Sequence, residues 1–241
     1  VMRSISVVAF MLLSAGAFAQ PPAPAPAPDP LTGNARLGYL ATSGNTESKN
    51  ANAGLDVKWD RGGMWVHNWT AQFVSARTNG ITTAESYAAG YKAQRDFSET
   101  SYLFAAGDWR KDRFSGYEEQ MSETVGYGRR LIDNERHMLA IEGGVGAKQS
   151  TLVDGTDLDE GIVRGGLDYL LHISETSEFE QKLLTEIGSE NTYTESITAL
   201  RAKVVGNLAL VLSYTIKNNS DVPPGIEKTD TFTAISLEYV F

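Results

Sequence analysis

The 241-residue chain has only three histidines, and each would need a partner to do chemistry. A serine hydrolase built on a strand surface requires a serine, a histidine and an orienting polar group to converge. Spacing places no nucleophile beside His67, His137 or His172. His67 alternates with Trp65 and Trp69, His137 follows a turn signal, and His172 shares the parity of Asp168, so each reads as a polar group of a strand face. The stretch "DGTDLDEG", Asp154 to Gly161, carries Asp157-x-Asp159 and could offer oxygen ligands to calcium or magnesium. It lacks the full loop spacing and the distal bidentate glutamate, and reads as a solvated acidic loop. With no cysteine, thiol catalysis, disulfides and Cys-based metal sites are excluded together. The chain is expected to be no enzyme and to hold no cofactor. A net charge of −9 without clustered Lys and Arg also excludes nucleic acid as a partner.

What remains is charge arranged by parity. In "SKNANAGLDVKWD", Ala51, Ala53, Leu55, Val57 and Trp59 alternate with Asn50, Asn52, Gly54, Asp56 and Lys58, a two-faced strand. The same period recurs in twelve segments, beginning near Arg36, Ser48, Met64, Ala84, Ser101, Tyr117, His137, Gly161, Glu178, Glu195, Leu208 and Thr231. Tight turns at Asp60–Gly63, Asp96–Thr100, Asp133–Arg136, Ser174–Ser177 and Gly206–Asn207 interleave with looser polar loops, the longest being Thr151–Glu160 and Asn218–Lys228. An even number of long alternating strands with this asymmetry predicts an all-β fold. It is a closed antiparallel transmembrane β-barrel of about 12 strands, with short periplasmic turns and longer extracellular loops. Trp59, Trp65, Tyr169, Phe179, Tyr239 and Phe241 fall toward the turn end and Tyr87, Trp109 and Tyr214 toward the other, as two aromatic girdles would require.

The polar parity then lines a lumen. Its basic candidates are Lys58, Lys92, Arg130, Lys148, Arg164, Lys182, Arg201 and Lys217; its acidic ones are Asp56, Glu142, Asp168, Glu178, Glu180, Glu186 and Glu238. Mixed signs permit either a narrow, weakly selective passive channel for small solutes or ions, which is the first expectation, or a structural barrel closed by ion pairs. No plug domain and no long inward-folding loop is visible in the sequence.

Ahead of the barrel, Arg3, the apolar run Ile5–Leu13 and Ala17-Phe18-Ala19 predict a cleavable signal peptide over residues 1–19. A Pro/Ala-rich periplasmic leader is expected over 20–34, with the barrel from 35 to 241, in the bacterial outer membrane. "GYLATSGNTES" at Gly38–Ser48, "DRFSGYEEQMSETVGYGRRL" at Asp112–Leu131 and "SYTIKNNSDVPPGIEKTDTFTAISLEYVF" at Ser213–Phe241 resemble the YdiY-like family of salt-induced outer-membrane proteins, a domain family of unknown function. The resemblance implies location, fold and an association with salt or osmotic response; it carries no catalytic set. Leu237, Tyr239 and the terminal Phe241 resemble the signal read by barrel-assembly machinery, which is therefore an expected partner in biogenesis. Outer-membrane lipid and lipopolysaccharide are the expected surroundings of a monomer.

Overall fold

The computed structural model describes residues 30–42, 47–112 and 115–241; the expected signal peptide and all of the leader before Pro30 lie outside them. Twelve strands follow one another: β1 (Leu31–Thr42), β2 (Ser48–Asp60), β3 (Trp65–Thr78), β4 (Ile81–Asp96), β5 (Ser101–Asp112), β6 (Tyr117–Asp133), β7 (His137–Leu152), β8 (Asp157–Ser174), β9 (Ser177–Ile187), β10 (Thr192–Val205), β11 (Leu208–Asn219) and β12 (Thr229–Val240). Each pairs antiparallel with its neighbours, and β1 meets β12, so the sheet closes on itself. At 11 to 18 residues the strands reach or exceed the roughly 9–11 that a tilted strand needs to cross a bilayer. Closure is what a membrane demands, because an open edge in hydrocarbon would leave N–H and C=O groups without partners.

Two expectations about the ends of elements need correction. The first strand begins at Leu31 rather than 35: the Pro30 carbonyl accepts the Asp60 amide, and Leu31 pairs with Trp59. Nor is Thr151–Glu160 a ten-residue loop. β7 runs to Leu152 and β8 starts at Asp157, with Asp157 and Asp159 facing Thr151 and Gln149 in the ladder. The β3–β4 connection is likewise only Asn79-Gly80, with φ of 50° and 79°, the left-handed pair that a two-residue hairpin takes.

The seam is the shortest pairing, Asn34–Leu37 against Leu237–Val240, extended by the reciprocal bonds of Gly33 with Phe241 at 2.8 and 2.9 Å. The Phe241 ring occupies the space a Cβ on Gly33 would need, with Cζ 2.9 Å from it. Leu237, Tyr239 and Phe241 are 51, 50 and 41% exposed on the outer wall, so the terminal aromatic closes the barrel and faces outward.

Side-chain direction follows parity between the register shifts that interrupt β3–β4, β6–β7, β8–β9 and β10–β11 near their ends. The row Val125, Val145, Val163 and Ile187 runs from the middle of β6 and β7 through β8 to the last residue of β9 and is exposed on the outside. Replacing Val145 by Arg is expected to cost about 2–4 kcal/mol in refolded protein, as a cation near a bilayer midplane does. The same change at Asn68, which lines the interior cavity, is expected to cost less; equal shifts in urea midpoint would mean that the two faces are misassigned.

Candidate functional site

All thirteen lumen candidates lie on the inner wall: Asp56, Lys58, Lys92, Arg130, Glu142, Lys148, Arg164, Asp168, Lys182, Glu186, Arg201, Lys217 and Glu238. Period two selects the face, and the register then decides which charges meet. Lys92 on β4 reaches Glu142 on β7 at 2.6 Å, and Tyr102 donates to the same carboxylate at 2.8 Å. Arg201 binds Glu238 at 2.6 Å and Glu178 at 2.7 Å; Arg36 holds Asp56 at 2.6 Å; Arg130 holds Asp96 at 3.0 Å. Lys182 pairs with Glu180 at 2.7 Å and Lys58 with Asp60 at 3.4 Å. The wholly buried Lys148 stands 3.4 Å from Glu160.

One layer crosses the lumen. Arg110 extends from β5 past β6, β7 and β8 to Glu186 on β9, making two parallel bonds at 3.0 and 3.1 Å, while its guanidinium carbon lies 4.1 Å from the Tyr193 ring centroid on β10. Glu186 is fully buried and also accepts from Ser122 at 2.8 Å. Arg164 completes the layer, 2.5 Å from Asp108 and 3.6 Å from Glu186. A bidentate arginine pair of this kind is held in geometry as well as by charge.

Below the layer, toward the turns, is a cavity of about 850 Å³. Its wall includes Asn68, Thr70, Lys92, Asp168, Lys182 and Arg201. Above it a space of about 60 Å³ is bounded by Gln72, Arg110, Tyr193 and Lys217. The two share Thr70, Asp108, Leu184 and Glu195 as walls. Among the described residues Asp168 and Glu195 make no ion pair, and Lys217 donates to the Ser86 hydroxyl at 3.3 Å and lies 5.5 Å from the Phe232 ring centroid.

At the outer end the β11–β12 connection leans across the mouth, which corrects the expectation that no loop turns inward. Tyr117, at the start of β6, donates to the Asp221 carbonyl at 3.0 Å; Asn191 accepts the Asp221 amide at 3.2 Å; Pro223 stands 2.6 Å from where a Cβ on Gly116 would be. Pro223 and Pro224 stiffen the segment enough to bridge so far.

Sequence reasoning had missed Arg36, Tyr102, Asp108, Arg110, Glu160, Tyr193 and Glu195. The signal was present: Tyr102, Phe104, Ala106, Asp108 and Arg110 share one parity of β5, opposite Trp109. Gly126 and Gly128 of β6 leave room for the Phe104 and Tyr102 rings, which would collide with a Cβ at 2.6 and 2.2 Å.

The histidines are hydrogen-bonded as strand-surface groups: His67 to Tyr91 at 2.8 Å, His137 to Tyr169 at 2.9 Å, and His172 beside Glu178 at 3.1 Å. Asp154 accepts the Thr156 amide, which holds its carboxyl below the usual carboxylate range, and Asp157 accepts from the Thr151 hydroxyl. Among the described residues no group of three or more His or acidic side chains gathers as metal ligands do.

These features define a closed, twelve-stranded transmembrane barrel with an ion-paired lumen. The chain belongs to the family described as "Protein of unknown function, DUF481", which matches residues 35–241. The uncharacterized protein YdiY of Escherichia coli K12 is 29% identical over 211 residues, 87% of this chain and 83% of that protein. Among solved structures the NanC porin is similar with a TM-score of 0.50 at 12% identity, over 86% of this chain and 97% of that one. The translocator domain of NalP from Neisseria meningitidis gives 0.47 at 11% identity, over 88% of each chain. The likeness to NanC is one of fold.

Proposed function

We propose that this barrel lies in the bacterial outer membrane, turns toward the periplasm, and acts as a narrow passive conduit for water and small ions. The observation that carries the reading is the shared wall. Thr70, Asp108, Leu184 and Glu195 line both the 850 Å³ chamber and the 60 Å³ space, and Arg110 lines the smaller one. The smaller space has room for a few waters and none for a sugar ring. An ion conduit accords with the osmotic association that the family resemblance implies. The exposed girdles at both ends support the membrane setting, and the outward Leu237, Tyr239 and Phe241 support recognition by assembly machinery.

Paired charges attract mobile ions weakly, because each field is cancelled at close range, so selectivity falls to the unpaired ones. Asp168 and Glu195 outnumber Lys217 along the route. The expected reversal potential under a salt gradient has the sign of a weak cation preference, and D168N/E195Q brings it toward zero; a preference unchanged in that variant contradicts the assignment. Liposome swelling tests the conduit itself. Salt is expected to enter and a trisaccharide to be excluded; entry of the trisaccharide, or of neither solute, contradicts the reading.

A closed structural barrel is the second reading, favoured by the β11–β12 connection bonded across the mouth through Asp221 and Pro223. It predicts exclusion of both solutes.

A further inference from the structure

We propose that the outer wall of β2–β4, at the turn end, is a binding surface for the headgroup of an anionic glycerophospholipid, held between Arg61 and Arg95. The register places these residues in ordered rows. Trp59 faces His67; one row toward the turns, Arg95 faces Trp65, with Arg61 just beyond Trp59; one row toward the membrane centre, Val57, Trp69 and Tyr91 lie side by side. The rings form one continuous patch. Trp59, Trp65, Trp69 and Tyr91 each lie 5.2 to 6.3 Å from the His67 ring, centroid to centroid, and Tyr91 bonds the imidazole.

Each arginine stacks on an indole. The Arg61 guanidinium carbon is 5.3 Å from the Trp59 ring centroid, and that of Arg95 is 5.7 Å from Trp65. Stacking fixes a guanidinium while leaving its N–H groups in the ring plane free to donate. The lumen arginines Arg36, Arg110, Arg130, Arg164 and Arg201 all spend those donors on carboxylates. Neither Arg61 nor Arg95 has a carboxylate partner among the described residues, and both are exposed. Two oriented, unneutralised guanidiniums on either side of Trp65, at the level where an interfacial aromatic girdle sits, complement a phosphate at headgroup depth. Toward the membrane centre, Ala71 and Ala89 leave a shallow gap between the Trp69–Tyr91 and Phe73–Tyr87 ring pairs, in which an acyl chain can lie.

The inference rests on the reading that the barrel lies in a bilayer and does not depend on whether its lumen conducts. Three of the four tryptophans belong to the patch, so intrinsic fluorescence reports on it. Protein is reconstituted into phosphatidylcholine vesicles in which an equal fraction of lipid is brominated in the acyl chain, either phosphatidylcholine or phosphatidylglycerol. Brominated phosphatidylglycerol is expected to quench more strongly, the preference to fall several-fold in R61Q/R95Q, and the preference to persist in R129Q, an exposed arginine of β6 without an indole beneath it. Equal quenching by the two lipids in the wild type overturns the inference, as does a preference that survives R61Q/R95Q. Quenching by neither lipid overturns the bilayer reading and the inference with it, so the two failures are distinguishable.

Discussion

Glu186→Gln is expected to lower the unfolding free energy by about 3–5 kcal/mol, the usual cost of removing one partner from a buried pair. The carboxylate is fully buried and receives two bonds from Arg110 and one from Ser122, with Arg164 3.6 Å away. Gln keeps the shape but not the charge, and it offers donors where three donors already converge. Arg164 retains Asp108, whereas Arg110 exchanges a bidentate carboxylate for a single neutral amide oxygen. The expected signature is a lower urea midpoint at fixed lipid composition with an unchanged slope. A midpoint within about 0.5 kcal/mol of wild type, the range of an ordinary surface substitution, would mean that the layer does not hold the barrel together.

Removing both partners is expected to act differently. Arg110→Ser with Glu186→Ser eliminates the crossing without stranding either charge, so its cost falls short of the summed single changes by about 0.5–3 kcal/mol, the coupling typical of residues in contact. It also merges the chamber with the space above it. Ion flux into proteoliposomes should rise several-fold and a trisaccharide should begin to enter, because the pair that spans the lumen from β5 to β9 has gone. Unchanged flux would place the limiting barrier elsewhere, at the β11–β12 connection over the mouth.

Most of the fold was legible because period two holds along the body of each strand, the register shifts lying near strand ends. Val57 and Lys58, or Leu212 and Ser213, differ in face by a single step, and nothing in the interior overrides that. Strand ends were less legible where alternation lapses. Ile81-Thr82-Thr83 is a β-branched run without a polar parity, so β4 reads as starting near Ala84, although Asn79-Gly80 signals the hairpin directly. The lumen pairs divide in the same way. Arg164 and Glu186 are ladder partners on adjacent strands, a relation that register alone supplies. Arg110 and Glu186 are separated by three intervening strands, and their meeting depends on barrel radius and shear, which no local spacing encodes. The inward reach of the β11–β12 connection is hidden for a similar reason: its partner Tyr117 starts β6, on the far side of the barrel.

A continuous water path past the Arg110–Glu186 layer is tested most directly by single-channel recording of wild-type protein in a planar bilayer. Folding is established first by the shift in gel migration between unheated and boiled samples that a closed barrel produces. Small, discrete, weakly cation-selective conductance steps are expected. A bilayer that stays silent with folded protein would contradict the water path and leave the closed structural barrel in its place.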